Sequence, residues 1–212
     1  EAEENNLDNK VQNARWARWS KCSLCEQEYH GVVSCALGWA CWKAYVGRPE
    51  ACAVRLTAMG QLGNGLYCGN HYAESLSVRE SELHMLQRIG APEYSILIAQ
   101  GNLANTYYSL GRNEQALRLR RDVYSRRLKL SGEEHESTLV AARNLSVCLH
   151  DIQQFQEAKL LMRKLIPVAR RLCGEDADLT LMMRQTYAQT LHNDAGATLG
   201  DLRESVTTFE DT

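Results

Sequence analysis

Three prolines and two phenylalanines are all that the 212 residues contain. So few prolines exclude a collagen-like chain or a Pro-rich disordered tail, since both rely on proline to hold the backbone extended. Charge of one sign is lacking as well: 24 Lys and Arg against 26 Asp and Glu leave a net charge of -2. A domain built to neutralise nucleic-acid phosphates carries a basic excess, so a strongly basic nucleic-acid binder is excluded. No apolar run approaches the roughly 20 residues that a helix needs to cross a bilayer, because Arg, Lys, Glu or Gly interrupts each one. The segment Glu1 to Asn6 is acidic and polar, unlike a signal peptide. Enzyme signatures are missing too, with no GxSxG, no HExxH and no phosphate loop. Gly60-Gln-Leu-Gly63-Asn-Gly65 falls inside a helical pattern instead of after a strand, and His84, His135 and Cys148 stand alone. No enzymatic activity is expected.

Cysteine, by contrast, is plentiful. Cys22, Cys25, Cys35, Cys41 and Cys52 crowd the front of the chain, and Cys68, Cys148 and Cys173 come after them. Without a secretory signal, such a set predicts an intracellular, reducing compartment, the cytoplasm ahead of an organelle, and a cluster of thiols there points to metal. Cys22-x2-Cys25-x4-His30-x4-Cys35 supplies the soft, tetrahedral ligand set that Zn²⁺ prefers, at zinc-knuckle spacing. Tyr29 stands before His30, where a knuckle carries Gly. Two other readings stay open: buried cysteines acting as small apolar residues, and a redox CxxC, which here lacks a strand-helix context. Cys35, Trp39, Trp42 and Val46 share a helical stripe, so a helix with that apolar face is expected to follow, with Cys41 on another side.

An internal repeat dominates the remainder of the chain. Asn102, Leu103, Ala116, Gly132, Glu133, Thr138 and Leu139 recur 42 residues later as Asn144, Leu145, Ala158, Gly174, Glu175, Thr180 and Leu181. Leu62-Gly63 and Ser75-Leu76 occupy the same places 41 residues earlier, and Tyr187-Ala188 opens a ragged fourth copy. A fixed period of this length means stacked supersecondary units, each too small to bury its own apolar face. Within a copy, Leu103, Tyr107 and Leu110 form one helical stripe, Gly111-Arg112-Asn113 interrupts, and Ala116 to Leu128 resumes a second. Small residues at Gly63, Ala104, Ser146 and Ala188, and at Ser75, Ala116 and Ala158, predict close helix crossings.

These residues resemble the tetratricopeptide pattern of small residues with a Leu and a Tyr on the first helix. The 42-residue period, with the joints 130–139 and 172–181, resembles the kinesin light chain class of that repeat over about Leu56 to Asp211. With CSLCEQEYHG and ALGWACWKAY, the whole chain also resembles short repeat proteins of marine single-celled algae. The resemblance implies an all-α, right-handed tetratricopeptide-type helical solenoid. Residues 1-50 would form a Trp-rich helix and a small zinc-binding Cys/His cap. Residues 51-212 would carry repeats at about 56-96, 97-138, 139-180 and 181-212.

In such stacks the first helices line a concave face. Carried onto this sequence, the positions facing it are Asn64, Tyr67, Asn102, Asn105, Tyr108, Arg143, Asn144, His150, Gln185, Gln189 and His192. Amides recur there, and each offers a donor and an acceptor to the backbone of an extended peptide. The alternative is that Asn102 and Asn144 merely bond neighbouring helix ends. The expected role is therefore capture of a protein or peptide, as a scaffold or as an accessory subunit of a larger assembly. A different class, a zinc-knuckle-like nucleic-acid-binding module with the repeats as oligomerisation surface, would draw on Arg15, Trp16, Arg18, Trp19 and Lys21. The run from Arg112 to Lys129 reads as a solvated face, with a patch for an acidic partner as the alternative.

Overall fold

The structure, a computed structural model, describes the backbone of residues 16–210 and the side chains of residues 16–206. Among the described residues there are nine long helices and no strand, only an isolated antiparallel bridge between Lys21 and Glu28. The chain divides between Leu110 and Gly111 into two compact units.

The first unit holds α1 (Gly31–Tyr45), α2 (Ala53–Cys68), α3 (Tyr72–Arg88) and α4 (Glu93–Ser109), each packed on the next. Asn70, at φ 63°, turns α2 into α3. Ser75, fully buried, donates to the Gly63 carbonyl at 3.0 Å, so the predicted small-residue crossing is a hydrogen-bonded contact. Gly90, at φ 63°, ends α3, and Pro92 fixes the start of α4, where its missing N–H costs nothing.

The predicted apolar face of α1 is turned. Trp39 is 43% and Val46 41% exposed, whereas Gly38 and Cys41 are buried. The cause is the distance between backbones. A Cβ added to Gly38 would lie 3.0 Å from the Gln61 carbonyl oxygen, and one added to Gly65 would lie 2.5 Å from the Ser34 carbonyl oxygen. Helices this close leave no layer for indole rings between them. Trp42 instead lies beside the crossing, with the Arg55 guanidinium 5.9 Å from its ring centroid.

The second unit holds α5 (Asn113–Ser131), α6 (Glu136–Asp151), α7 (Phe155–Cys173), α8 (Asp178–Asn193) and α9 (Leu199–Glu210). Each packs on its successor, and α6 also packs on α8, the first helices of adjacent copies lying side by side. Gly132 (φ 81°) and Gly174 (φ 107°) end α5 and α7 in the left-handed region that glycine enters freely. Glu136 and Asp178 lie in the next first turns, where negative charge favours the helix dipole, and His135 Nδ1 accepts the Ser137 N–H. Ser146, Ala158 and Ala188 are fully buried, as are Leu139, Met162, Leu165, Met183 and Leu191 around them.

Two expectations change here. The ragged fourth copy is a full helix pair, in which Ser205 donates to the Ala188 carbonyl at 3.0 Å. The Lys159 ammonium, almost fully buried, bonds Asp194 at 2.8 Å and stands 4.0 Å from Asp201, joining α7 to the start of α9. Within the arginine run, Arg121 pairs with Glu157 at 2.6 Å in solvent. Arg120, though, is buried and donates to the Asn144 carbonyl at 2.7 Å.

Candidate binding groove

In the first unit, α2 and α4 flank a groove of about 380 Å³ with α3 behind it. From α2 it is lined by Leu56, Gly60, Gln61 and Asn64, from α4 by Tyr94, Ile98 and Asn102, and from α3 by Glu82 and Leu86. Tyr94 and Ile98 are 56% and 50% exposed, so the rim is apolar and open. Two of the amides chosen from sequence, Asn64 and Asn102, therefore do face one cavity. Asn64 Oδ1 accepts from Arg79 Nη2 at 3.1 Å. Asn102 gives its backbone carbonyl to Thr106 at 3.2 Å.

Glu82, which sequence reasoning missed, gives the groove its charge. Its Oε2 is buried with no hydrogen-bond partner among the described residues. Burial pushes its carboxyl above the usual carboxylate range, against the opposing pull of the Arg79 charge. That guanidinium is itself buried: Nε bonds Ser75 Oγ at 3.2 Å, Nη2 bonds Asn64, Nη1 has no hydrogen-bond partner among the described residues, and Cζ lies 5.7 Å from the Tyr67 ring centroid.

The other predicted positions are more engaged. Tyr67 bonds Ser109 through its hydroxyl at 2.9 Å and meets Tyr72 edge-on. Asn105 and Tyr108 are half-buried and each is held by an interaction within the protein. In the second unit, Arg143 is half-buried with Asn144 Oδ1 3.5 Å from its Nη1. His150 has Thr190 Oγ1 3.2 Å from Nδ1 and Asn193 Nδ2 3.2 Å from Nε2, so both ring nitrogens tie α6 to α8. Gln185, Gln189 and His192 are exposed on α8.

Helix pairs at this period, crossing at small residues, decide the family of the repeated region, and residues 95–171 match the family model Tetratricopeptide repeat. Residues 95–171 carry tetratricopeptide repeats. Its tetratricopeptide fold is similar to the nearly identical TPR-like repeats of a putative kinesin light chain from Podosopora anserina. A single-substitution variant of those repeats superposes with a TM-score of 0.66 at 19% identity, over 84% of this chain and 81% of that one. A second structure of them gives a TM-score of 0.64 at 19% identity, over 84% and 82%. BtubC (BKLC) from P. vanneervenii gives 0.63 at 13% identity, over 97% of this chain and 72% of that one. Comparison with curated protein sequences gives no match. Tetratricopeptide repeats are in general scaffolds for protein–protein interaction. No helix among the described residues is long and apolar enough to cross a membrane.

The segment before the tetratricopeptide helices does not gather the expected zinc ligands. Cys22, Cys25, His30 and Cys35 are all described, yet among the described residues no three His, Cys, Asp or Glu side chains are placed to hold a metal ion. Cys22 and Cys25 do share one turn, closed by Cys22 N–H to the Gln27 carbonyl at 2.8 Å and Glu26 N–H to the Cys22 carbonyl at 2.9 Å. The Cys25 and Leu24 amides, the Cys25 thiol and Tyr29 bring the Cys22 thiol down to about 7. His30 is the N-cap residue of α1 without a capping bond, while Cys35 packs against Gly69 at the end of α2. Burial pushes the Cys41 thiol up to about 11. The nucleic-acid reading gains nothing here. Trp16 stacks against Tyr45 with centroids 5.5 Å apart, Trp19 is half-buried, and Arg15 lies outside the described residues.

Proposed function

We propose that the chain is a scaffold, or the accessory subunit of a larger assembly, that holds an extended protein segment in the groove between α2 and α4. One observation carries this reading: amides carried over from the tetratricopeptide resemblance, Asn64 and Asn102, line one open cavity beside the exposed Tyr94 and Ile98. An amide ladder bonds peptide backbone and an apolar rim takes alternate side chains, which is how a groove binds an extended chain. The test is selection of a displayed random-peptide library on the whole chain and on Ile98→Ser/Asn102→Ala. Peptides recovered on the parent and lost on the variant, at unchanged thermal unfolding, support the reading. Equal recovery on both ends it.

A structural zinc at the front of the chain is a second reading, favoured by the turn that holds Cys22 and Cys25 together with amides aimed at one sulfur. His30 and Cys35 would have to move to complete four ligands. Elemental analysis of purified protein decides it: one zinc per chain supports the site, and none removes it.

A further inference from the structure

The charge in the groove goes further than the amides. Glu82 is the one charged residue among those lining it, and its Oε2 is enclosed without a partner among the described residues. A carboxylate withdrawn from water without compensation is costly, and a charge-assisted bond from a cation restores what burial removed. No described side chain hydrogen-bonds Oε2: Arg79, whose charge pulls on the carboxyl from nearby, spends Nε and Nη2 on Ser75 and Asn64, and its Nη1 is itself buried without a partner among the described residues. The open groove in the second unit differs. It is lined by Tyr124, Leu145, Leu160 and Leu161, and its charges are already paired, Arg121 with Glu157 and Lys164 with Glu133.

Resting on the scaffold reading, we propose that the first unit's groove selects a peptide bearing a Lys or Arg side chain, whose cationic head sits on the Glu82 carboxylate. The head meets the carboxyl beside Gly60, which lines the groove with Glu82 and lies against its Oε1, 3.1 Å from where an added Cβ would stand. The methylene stem runs along Leu56 and Leu86, which also line the groove, and a neighbouring apolar residue covers Ile98. Gln61, Asn64 and Asn102 are placed for the backbone.

The test extends the library selection to Glu82→Gln, an isosteric change, with thermal unfolding followed in parallel. A recovered peptide is then synthesised with Arg, with citrulline and with Glu at its basic position and titrated by fluorescence anisotropy against the parent chain. Enrichment of Lys and Arg on the parent, absent on Glu82→Gln, is expected, with a loss of about ten- to a hundredfold in affinity from Arg to citrulline. Peptides that bind without basic preference, a preference kept by Glu82→Gln, or an equal affinity for citrulline would overturn this inference and leave the scaffold reading standing. Recovery of no peptide at all would remove both. The citrulline comparison needs only the parent chain, so it decides the matter even where the variant unfolds.

Discussion

Gly65→Ala tests the crossing that seats α1. An added Cβ would lie 2.5 Å from the Ser34 carbonyl oxygen, 3.2 Å from its carbon and 3.3 Å from Cys35 Cα, all backbone atoms that cannot swing aside. The helices must separate, and overpacking of this kind costs about 1–3 kcal/mol. Alanine returns about 1 kcal/mol through its helix propensity, so the net loss is up to about 2 kcal/mol. Gly101, inside α4 of the same unit, is the control: nothing lies within 4 Å of its added Cβ. Gly101→Ala should gain about 1 kcal/mol. For a unit of about 100 residues, each kcal/mol moves the melting temperature by about 4–8 °C, so the two variants should move in opposite directions. All four tryptophans, Trp16, Trp19, Trp39 and Trp42, precede α2, so their fluorescence reports α1 while far-ultraviolet circular dichroism reports all helices. Gly65→Ala should shift the fluorescence melt more than the dichroism melt. It should also open the Cys41 thiol, fully buried in the parent, to iodoacetamide labelling read by peptide mass. A Gly65→Ala protein that melts like Gly101→Ala with Cys41 still unlabelled would refute the backbone-contact argument.

Leu165→Ala, in the fully buried cluster of α7, should cost about 2–5 kcal/mol in urea unfolding. Leu160→Ala, on the same helix but 68% exposed, should stay within about 0.5 kcal/mol. Acid should act oppositely on the two units, as read by amide exchange. Asp194 is held below the usual range first by the Lys159 hydrogen bond, and Asp201 first by the Thr198 amide, so their stabilisation is complete above the ordinary aspartate value of about 4 and is lost as pH falls through the lower folded values. Glu82 is raised by burial, so its ionisation destabilises the first unit at neutral pH and acidification relieves this as pH falls toward the ordinary glutamate value of about 4.3. Asp194→Asn should flatten the second profile and Glu82→Gln the first; parallel profiles in the two units would contradict both assignments.

The repeat was legible because close helix crossings demand small side chains at fixed intervals, and that demand leaves a period in the sequence. Ser75, Ser146, Ala158 and Ala188 are fully buried where the period put them. The orientation of α1 was not legible, since the helical stripe of Cys35, Trp39, Trp42 and Val46 measures periodicity and not how near the next backbone comes. Gly38 and Gly65 set that distance, and their signal was two glycines in facing helices, visible only once the pairing is known. His150 looked available on α6, yet its partners Thr190 and Asn193 lie in the next copy, beyond any single-repeat reading. Glu82 was missed because it sits on a second helix, whereas first-helix positions alone were carried over.

That second-helix contribution reaches the amides as well. Arg79 and Arg120 stand 41 residues apart on α3 and α5, and both are buried, bonded to a first-helix asparagine: Arg79 to the Asn64 side chain, Arg120 to the Asn144 carbonyl. A guanidinium can only donate, so Asn64 must turn its oxygen toward Arg79 and leave its amide nitrogen to donate. The floor of the groove is therefore not an indifferent ladder of donors and acceptors. At Asn64 it offers N–H groups suited to a peptide carbonyl, and at Glu82 an acceptor suited to a cation. A segment lying across both would be fixed in direction and in register, because reversing it would set its cationic side chain against the Asn64 donors and leave the Glu82 oxygen enclosed without a partner.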